Sequence, residues 1–186
     1  MHAESERTVE LLDGDMKVFN SELVDLQNLL KVLSQAKVQG DRIIAVFPAL
    51  VTLTNNGQIP PRSVWPIAKS NGTAALLPEN LAEIYTRLDY EADQFLAGQQ
   101  ELDRARDDTT AVAIRLNLSM KPGATFQMSR AEREELARAI AVHIGKMGHE
   151  MYYVAQWAGA ADAVVHNVQS RDAMQPFMLD RIKALE

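Results

Sequence analysis

The chain contains no cysteine, which excludes disulfides, thiolate nucleophiles and cysteine-ligated metals and leaves oxidising and reducing compartments both open. It also lacks any apolar run near the roughly 20 residues that cross a bilayer, and residues 2–10 are too polar for a signal peptide. No GxSxG, GxGxxG, HExxH or phosphate-binding glycine loop is present in the sequence. We therefore expect a soluble protein without a standard catalytic motif.

Basic residues are outnumbered by acidic ones. Lysine and arginine total 19 against 25 aspartate and glutamate residues, which gives a formal net charge of -6. The field of such a protein repels nucleic acid and anionic membrane surfaces, so we expect no nucleic-acid partner. With 47% apolar residues in 186, the chain has the composition of one folded domain that buries roughly 70% of its unfolded surface.

An apolar seam near the amino terminus predicts the first long helix, over about residues 5–37. Its members alternate in steps of three and four: Val9, Leu12, Met16, Phe19, Leu23, Leu26, Leu30 and Leu33. Val24, Leu29 and Val32 are expected to widen this apolar stripe. Asp13, Asp15 and Glu22 flank it without basic counterparts, which disfavours a parallel self-paired coiled coil. The seam favours a bundle helix, with a two-stranded coiled coil as the alternative.

Two further long helices have clear starts. Leu77-Pro78-Glu79 predicts the start of a helix that continues to about residue 116, since proline is favoured in a first turn. Ser129 and Glu132 form an S-x-x-E capping box before another apolar seam. That seam comprises Leu136, Ile140, Ile144, Met147, Met151, Val154, Ala158, Ala161, Val165 and Val168. The sequence thus predicts an all-α antiparallel helical bundle with three long amphipathic helices, shorter helices and a short C-terminal helix at about 174–186.

A connector over residues 48–78 is expected to cap this bundle. Residues 42–53 before it suggest a second, shorter helix, although their β-branched side chains also suit a strand. Ser63 is a candidate cap for a short helical turn that carries Trp65. Long connectors are often functional, so we consider five residues as ligand or partner contacts: Asn55, Arg62, Trp65, Lys69 and Asn71. The alternative is a loop that only covers the end of the bundle.

Only one cluster has residue types suited to a metal: His143, His149 and Glu150. The two histidines are six residues apart and project about 120° from each other around a helix. His143 and Glu150 share a helical face but lie two turns apart, so a shared metal is not expected. We predict no cofactor, and a metal-dependent enzyme using these residues remains the least favoured interpretation.

The segment from Ser63 to Phe95 resembles the extracytoplasmic part of a loosely defined group of bacterial single-span membrane proteins of unknown function. The matching positions are Trp65, Ser70, Asn71, Gly72, Leu77, Pro78, Leu81 and Tyr85. In that group a membrane helix runs directly into a long amphipathic helix, and this chain departs from the group in having no membrane span. The resemblance implies a periplasmic domain that is anchored to the membrane in the full-length protein.

These observations favour a non-catalytic helical sensory or interaction domain. Its expected partner is a protein or a small ligand that binds the connector or the exposed helix faces. The sequence also leaves open whether the chain forms a homo-oligomer. The alternative is a cytoplasmic helical adaptor that binds a partner protein through its apolar seam.

Overall fold

The computed structural model of the protein describes residues 2–39, 42–46, 59–118 and 123–185. The fold is that of a helical bundle with long helices, as the apolar seams predict. Within the described residues the helices are α1 His2–Gln35, α2 Val64–Ser70, α3 Glu79–Arg115, α4 Arg130–Val165 and α5 Gln175–Lys183, and Thr73–Leu76 and Asp172–Met174 form 3-10 turns. The strands are β1 Lys37–Gln39, β2 Arg42–Val46 and β3 Thr125–Ser129. No helix in the described ranges combines the length and apolar character needed to cross a bilayer.

The chain divides into two compact units. The first unit is formed by the described residues within 1–17, 56–99 and 149–186. The second unit is formed by the described residues within 18–55 and 100–148. Each of α1, α3 and α4 contributes residues to both units.

The buried face of α1 differs in part from the predicted seam. One predicted row is fully buried, and it consists of Leu12, Phe19, Leu26 and Leu33. The other predicted row, at Val9, Met16, Leu23 and Leu30, is only half-buried. Its place in the core is taken by a largely polar row, Ser5, Thr8, Asp15, Glu22 and Leu29, all of which are buried. The acids Asp15 and Glu22, which the sequence placed beside the seam, therefore lie within the core.

Val24 was predicted to widen the apolar stripe of α1, and that prediction was wrong. Its side chain is 54% exposed, whereas Leu29, which was assigned to the same wider stripe, is buried. Val24 follows Leu23 and precedes Leu26, so a helical rotation of about 100° per residue carries it off the buried face.

The prediction of a helix over residues 42–53 was also wrong in the part that the structure describes. Residues 42–46 form strand β2, and the remainder of that prediction lies outside the described residues. β2 pairs antiparallel with β1 on one side and with β3 on the other, with Ile43 opposite Met128. The β-branched residues of this stretch favour the strand because a partner strand is available.

β3 shows the alternation of a half-buried strand that leads into α4. Phe126 and Met128 are buried, and the residues between and before them are exposed. The predicted capping box follows at once. Ser129 N donates to Glu132 Oε2 at 2.6 Å, and Glu132 N donates to Ser129 Oγ at 3.3 Å. The box satisfies two backbone donors at the start of α4.

In the first unit, α3 and α4 run antiparallel and α5 packs closely on α4. The rings of Phe95 and Trp157 lie 5.2 Å apart, and one turn further along α3 Gly98 faces Glu150. Gly159 has no side chain to separate it from α5, and a Cβ there would lie 2.5 Å from Met178 Cα. Gly159 of α4 thus permits a close approach of α5.

Candidate functional site

Arg62 and Lys69, two of the predicted contact residues, converge on α3. Arg62 donates to Asp89 Oδ1 and to Asp93 Oδ1, each at 2.8 Å, and Lys69 Nζ donates to Asp89 Oδ2 at 2.7 Å. Burial of Asp89 would raise its pKa, but the hydrogen bonds and charges of Lys69 and Arg62 outweigh burial and hold that pKa below its ordinary value. These contacts fasten the connector to α3.

Trp65 lies on the inner side of α2. It is buried, its ring centre lies 5.6 Å from that of Tyr85, and its Nε1 has no hydrogen-bond partner among the described residues. The cavity beside it measures about 30 Å³, which holds a water molecule or two but no organic ligand. Trp65 therefore serves as a packing residue here.

Two side chains, Glu4 and Asn71, accept backbone hydrogen bonds at the start and the end of α2. At the start, Glu4 Oε1 accepts hydrogen bonds from Ser63 N at 2.7 Å and Val64 N at 3.4 Å. Ser63 itself makes no side-chain cap, contrary to the sequence prediction. At the end, Asn71 Oδ1 accepts from Thr73 N at 3.0 Å and closes the turn. Asn55, the remaining predicted contact, lies outside the described residues.

His143, His149 and Glu150 are not gathered at one point, in line with their spacing along the helix. His143 and Glu150 are buried on α4, while His149 is exposed. In the described part of the chain no three histidine, aspartate or glutamate side chains are placed to hold a metal ion. His143 Nε2 instead lies 3.2 Å from Glu22 Oε1, within the second unit.

Glu22 is the centre of a buried charged cluster. Arg106 donates to it from Nε at 3.1 Å and from a terminal nitrogen at 2.7 Å, and the Arg106 guanidinium also lies 5.8 Å from the ring centre of Phe19. Burial would raise the pKa of Glu22, but His143 and Arg106 outweigh it and keep that pKa low. The cluster connects α1, α3 and α4 within the second unit and keeps the carboxylate of Glu22 away from solvent.

Two other buried acids, both in the first unit, are less well compensated. Asp15 is 7% exposed, and burial raises its pKa to about 6. Glu91 is fully buried, and its pKa is raised by burial despite the opposing charge of Arg87, with which it forms an ion pair. These acids favour the protonated form more than an exposed carboxyl does.

An open groove in the first unit presents both polar and apolar side chains to a ligand. Two cavities, of about 240 and 560 Å³, share the side chains of Arg87 and Arg171. The smaller one is further lined by Tyr152, Gln156, Leu179 and Ile182, among others. Ligand pockets typically measure about 300–1,000 Å³, so the larger cavity lies within that range and the smaller one just below it. We refer to the smaller cavity, with these six residues, as the Arg87–Arg171 groove.

Sequence reasoning missed this groove because its residues come from four separate segments. Arg87 lies on α3, Tyr152 on α4 and Leu179 on α5, and Arg171 lies in the turn after α4. No spacing along the chain connects them. The sequence predicted only the short C-terminal helix that carries Leu179 and Ile182.

No protein-family model, curated protein or solved structure matches the chain.

Proposed function

We propose that this chain is a non-catalytic helical sensory domain that binds a small ligand in the Arg87–Arg171 groove. The observation that carries the proposal is the groove itself, in which two arginines, a tyrosine hydroxyl and an amide face an open cavity beside apolar side chains. Ligand sites typically combine an apolar lining with a few placed polar groups.

The pairing of charged side chains elsewhere supports a structural role for those groups. In the first unit Asp89 is bound by Arg62 and Lys69, and in the second unit Glu22 is bound by Arg106, with His143 at ion-pair distance. These contacts tie helices together, which is what a ligand-binding bundle requires of its core. General acid or base catalysis requires such groups to converge on a substrate instead.

We also propose a cellular location for the protein. The resemblance of residues 63–95 to extracytoplasmic domains of bacterial single-span proteins supports a periplasmic, membrane-anchored setting. Fusions of the full-length gene product to alkaline phosphatase and to a cytoplasm-dependent fluorescent protein test this directly. Phosphatase activity without fluorescence is expected, and the reverse pattern would instead support the cytoplasmic adaptor.

Exposed apolar side chains around α2 favour a second candidate function, the binding of a partner protein. Ile59, Ile67 and Leu76 are 59%, 57% and 82% exposed. If these three side chains form one contiguous patch, they would provide an apolar interaction surface. Replacing Ile67 and Leu76 together by serine should weaken capture of such a partner without lowering thermal stability.

Ligand binding is tested by thermal-shift screening of a metabolite library against the wild-type protein. Hits are repeated on Arg171→Glu and on Arg104→Glu, a control at another exposed arginine. We expect hits that raise the melting temperature of wild type and the control but not of Arg171→Glu. Hits that stabilise all three proteins equally, or a screen without hits, would contradict binding in the groove.

A further inference from the structure

We infer that the ligand of the Arg87–Arg171 groove is a small monocarboxylate with an apolar body. This inference rests on the proposed function and specifies the chemistry of the same site. It follows from the way Arg87 is held, from the unpaired charge of Arg171, and from the Tyr152 hydroxyl and the apolar side chains of α5 that also line the groove.

Arg87 is held in place before any ligand arrives. Its guanidinium forms an ion pair with the buried carboxylate of Glu91, one helical turn along α3. It also lies 5.3 Å from the ring centre of Tyr90, within the range of a cation–π contact. A guanidinium fixed from two sides can present its remaining donors to a carboxylate at a low entropic cost.

The second arginine supplies the uncompensated charge. Arg171 is exposed in the turn after α4, lines both cavities, and forms no ion pair with the described residues. Arg87 is already paired with Glu91, so Arg171 supplies the unpaired positive charge of the groove. Glu79 and Glu83 line the larger cavity and disfavour a second negative charge nearby. This balance selects a singly charged carboxylate over a doubly charged phosphate.

Tyr152 adds a directed donor. Gln156 Nε2 donates a hydrogen bond to the Tyr152 hydroxyl oxygen at 3.1 Å. Because the oxygen acts as acceptor in that contact, the hydroxyl proton remains available for a hydrogen bond to a bound anion. Charge-assisted bonds of this kind are stronger than neutral ones.

The opposite side of the groove is apolar. Met178, Leu179 and Ile182 of α5 line it, and Leu179 is 52% exposed without a ligand. An aliphatic or aromatic body would cover these side chains and remove apolar surface from water. The cavity of about 240 Å³ fits a ligand of modest size.

The inference is tested with a matched pair of probes, 4-phenylbutyrate and its neutral analogue 4-phenylbutan-1-ol, by calorimetric titration of the whole chain at neutral pH. We expect the carboxylate to bind about tenfold more tightly than the alcohol, since its charge-assisted bonds have no equivalent in the alcohol. In Arg171→Gln this preference should disappear, whereas Arg104→Gln should retain it. Circular dichroism confirms that each variant is folded.

The outcomes separate this inference from the proposed function. An alcohol that binds as tightly as the carboxylate, or a preference that survives in Arg171→Gln, would overturn the carboxylate assignment. If Leu179→Ser then abolishes binding of the alcohol, a ligand site exists in the groove and the proposed function stands. Absence of binding by both probes at millimolar concentration would overturn the carboxylate assignment, and the library screen then decides on the function separately.

Discussion

Arg106 of α3 and Glu22 of α1 form a two-point hydrogen-bonded ion pair inside the second unit, with both side chains buried. Buried pairs of this geometry add little net stability over apolar packing, but they are costly to break because one charge is left without compensation. The position of Glu22 in the core thus depends on Arg106.

Arg106→Ala should destabilise the protein by about 3–5 kcal/mol, because it leaves the carboxylate of Glu22 buried without its main partner. Arg104→Ala, two residues earlier at an exposed position, should change stability by no more than about 0.5 kcal/mol. Urea denaturation followed by circular dichroism measures both values. Equal losses in the two variants would show that the pair is not buried in solution.

Glu22 should make the protein sensitive to acid. Its folded-state pKa lies below its ordinary value, so the folded protein binds this proton less tightly than the unfolded chain does. The resulting stability is present above the unfolded pKa and is lost as pH falls through the folded pKa. Glu22→Gln should therefore cost more stability at pH 7 than at pH 3. A cost that is the same at both pH values would contradict the pKa shift.

Asp15 should show the opposite pH dependence. Its pKa rises from 3.8 to about 6 in the folded state, so its protonated form is favoured by folding and stability falls as pH rises from about 4 to 6. The difference in free energy of unfolding between Asp15→Asn and wild type should shift in favour of the variant by on the order of 2–3 kcal/mol between pH 4 and pH 7.5. Asp107→Asn, at an exposed aspartate, should show no such gain. Denaturant titrations at the two pH values supply the comparison, and parallel behaviour of the two variants would contradict a buried Asp15.

The outcome for α1 shows what periodicity predicts and what it misses. Apolar residues spaced by three and four identified the helix and the buried row that contains Leu12 and Leu26. The second buried row is largely polar, and within it Glu22 pairs with Arg106 of α3 and lies at ion-pair distance from His143 of α4. A search for apolar residues therefore selected the neighbouring, half-buried row at Val9 and Met16.

Sequence motifs predicted a contact correctly where both of its residues lie close together in the chain. The Ser129–Glu132 capping box lies within one turn, and the structure confirms it. The cap of α2 comes from Glu4, 59 residues before Ser63, and no local pattern indicates it. Strand β2 pairs with β1 directly before it and with β3 more than 80 residues later, and neither pairing can be read from the β-branched residues of β2, which also suit a short helix. The groove residues are separated in the same way.

Leu26→Asp should cost several kcal/mol, because the side chain is 1% exposed and an aspartate there would be buried without a partner. Val24→Asp is the matched control, since Val24 lies two residues away on the same helix and is 54% exposed. Its effect should stay within about 0.5–1 kcal/mol. Thermal unfolding of both variants distinguishes them. If Val24→Asp were the more damaging substitution, the orientation assigned to α1 would be wrong.

Gly159 and Gly148 allow the packing of α5 to be tested by a single methyl group. At Gly159 a Cβ would lie 2.5 Å from Met178 Cα and 2.8 Å from Phe177 O, so Gly159→Ala must displace the backbone of α5. We expect a loss of about 1–3 kcal/mol, as for other overpacked positions. At Gly148, in the same helix, a Cβ would meet nothing within 4 Å. Gly148→Ala should stabilise the protein by up to about 1 kcal/mol, because alanine favours the helix. Melting temperatures that rise in both variants would show that α5 does not pack on Gly159, and the apolar wall of the Arg87–Arg171 groove would then lose its support.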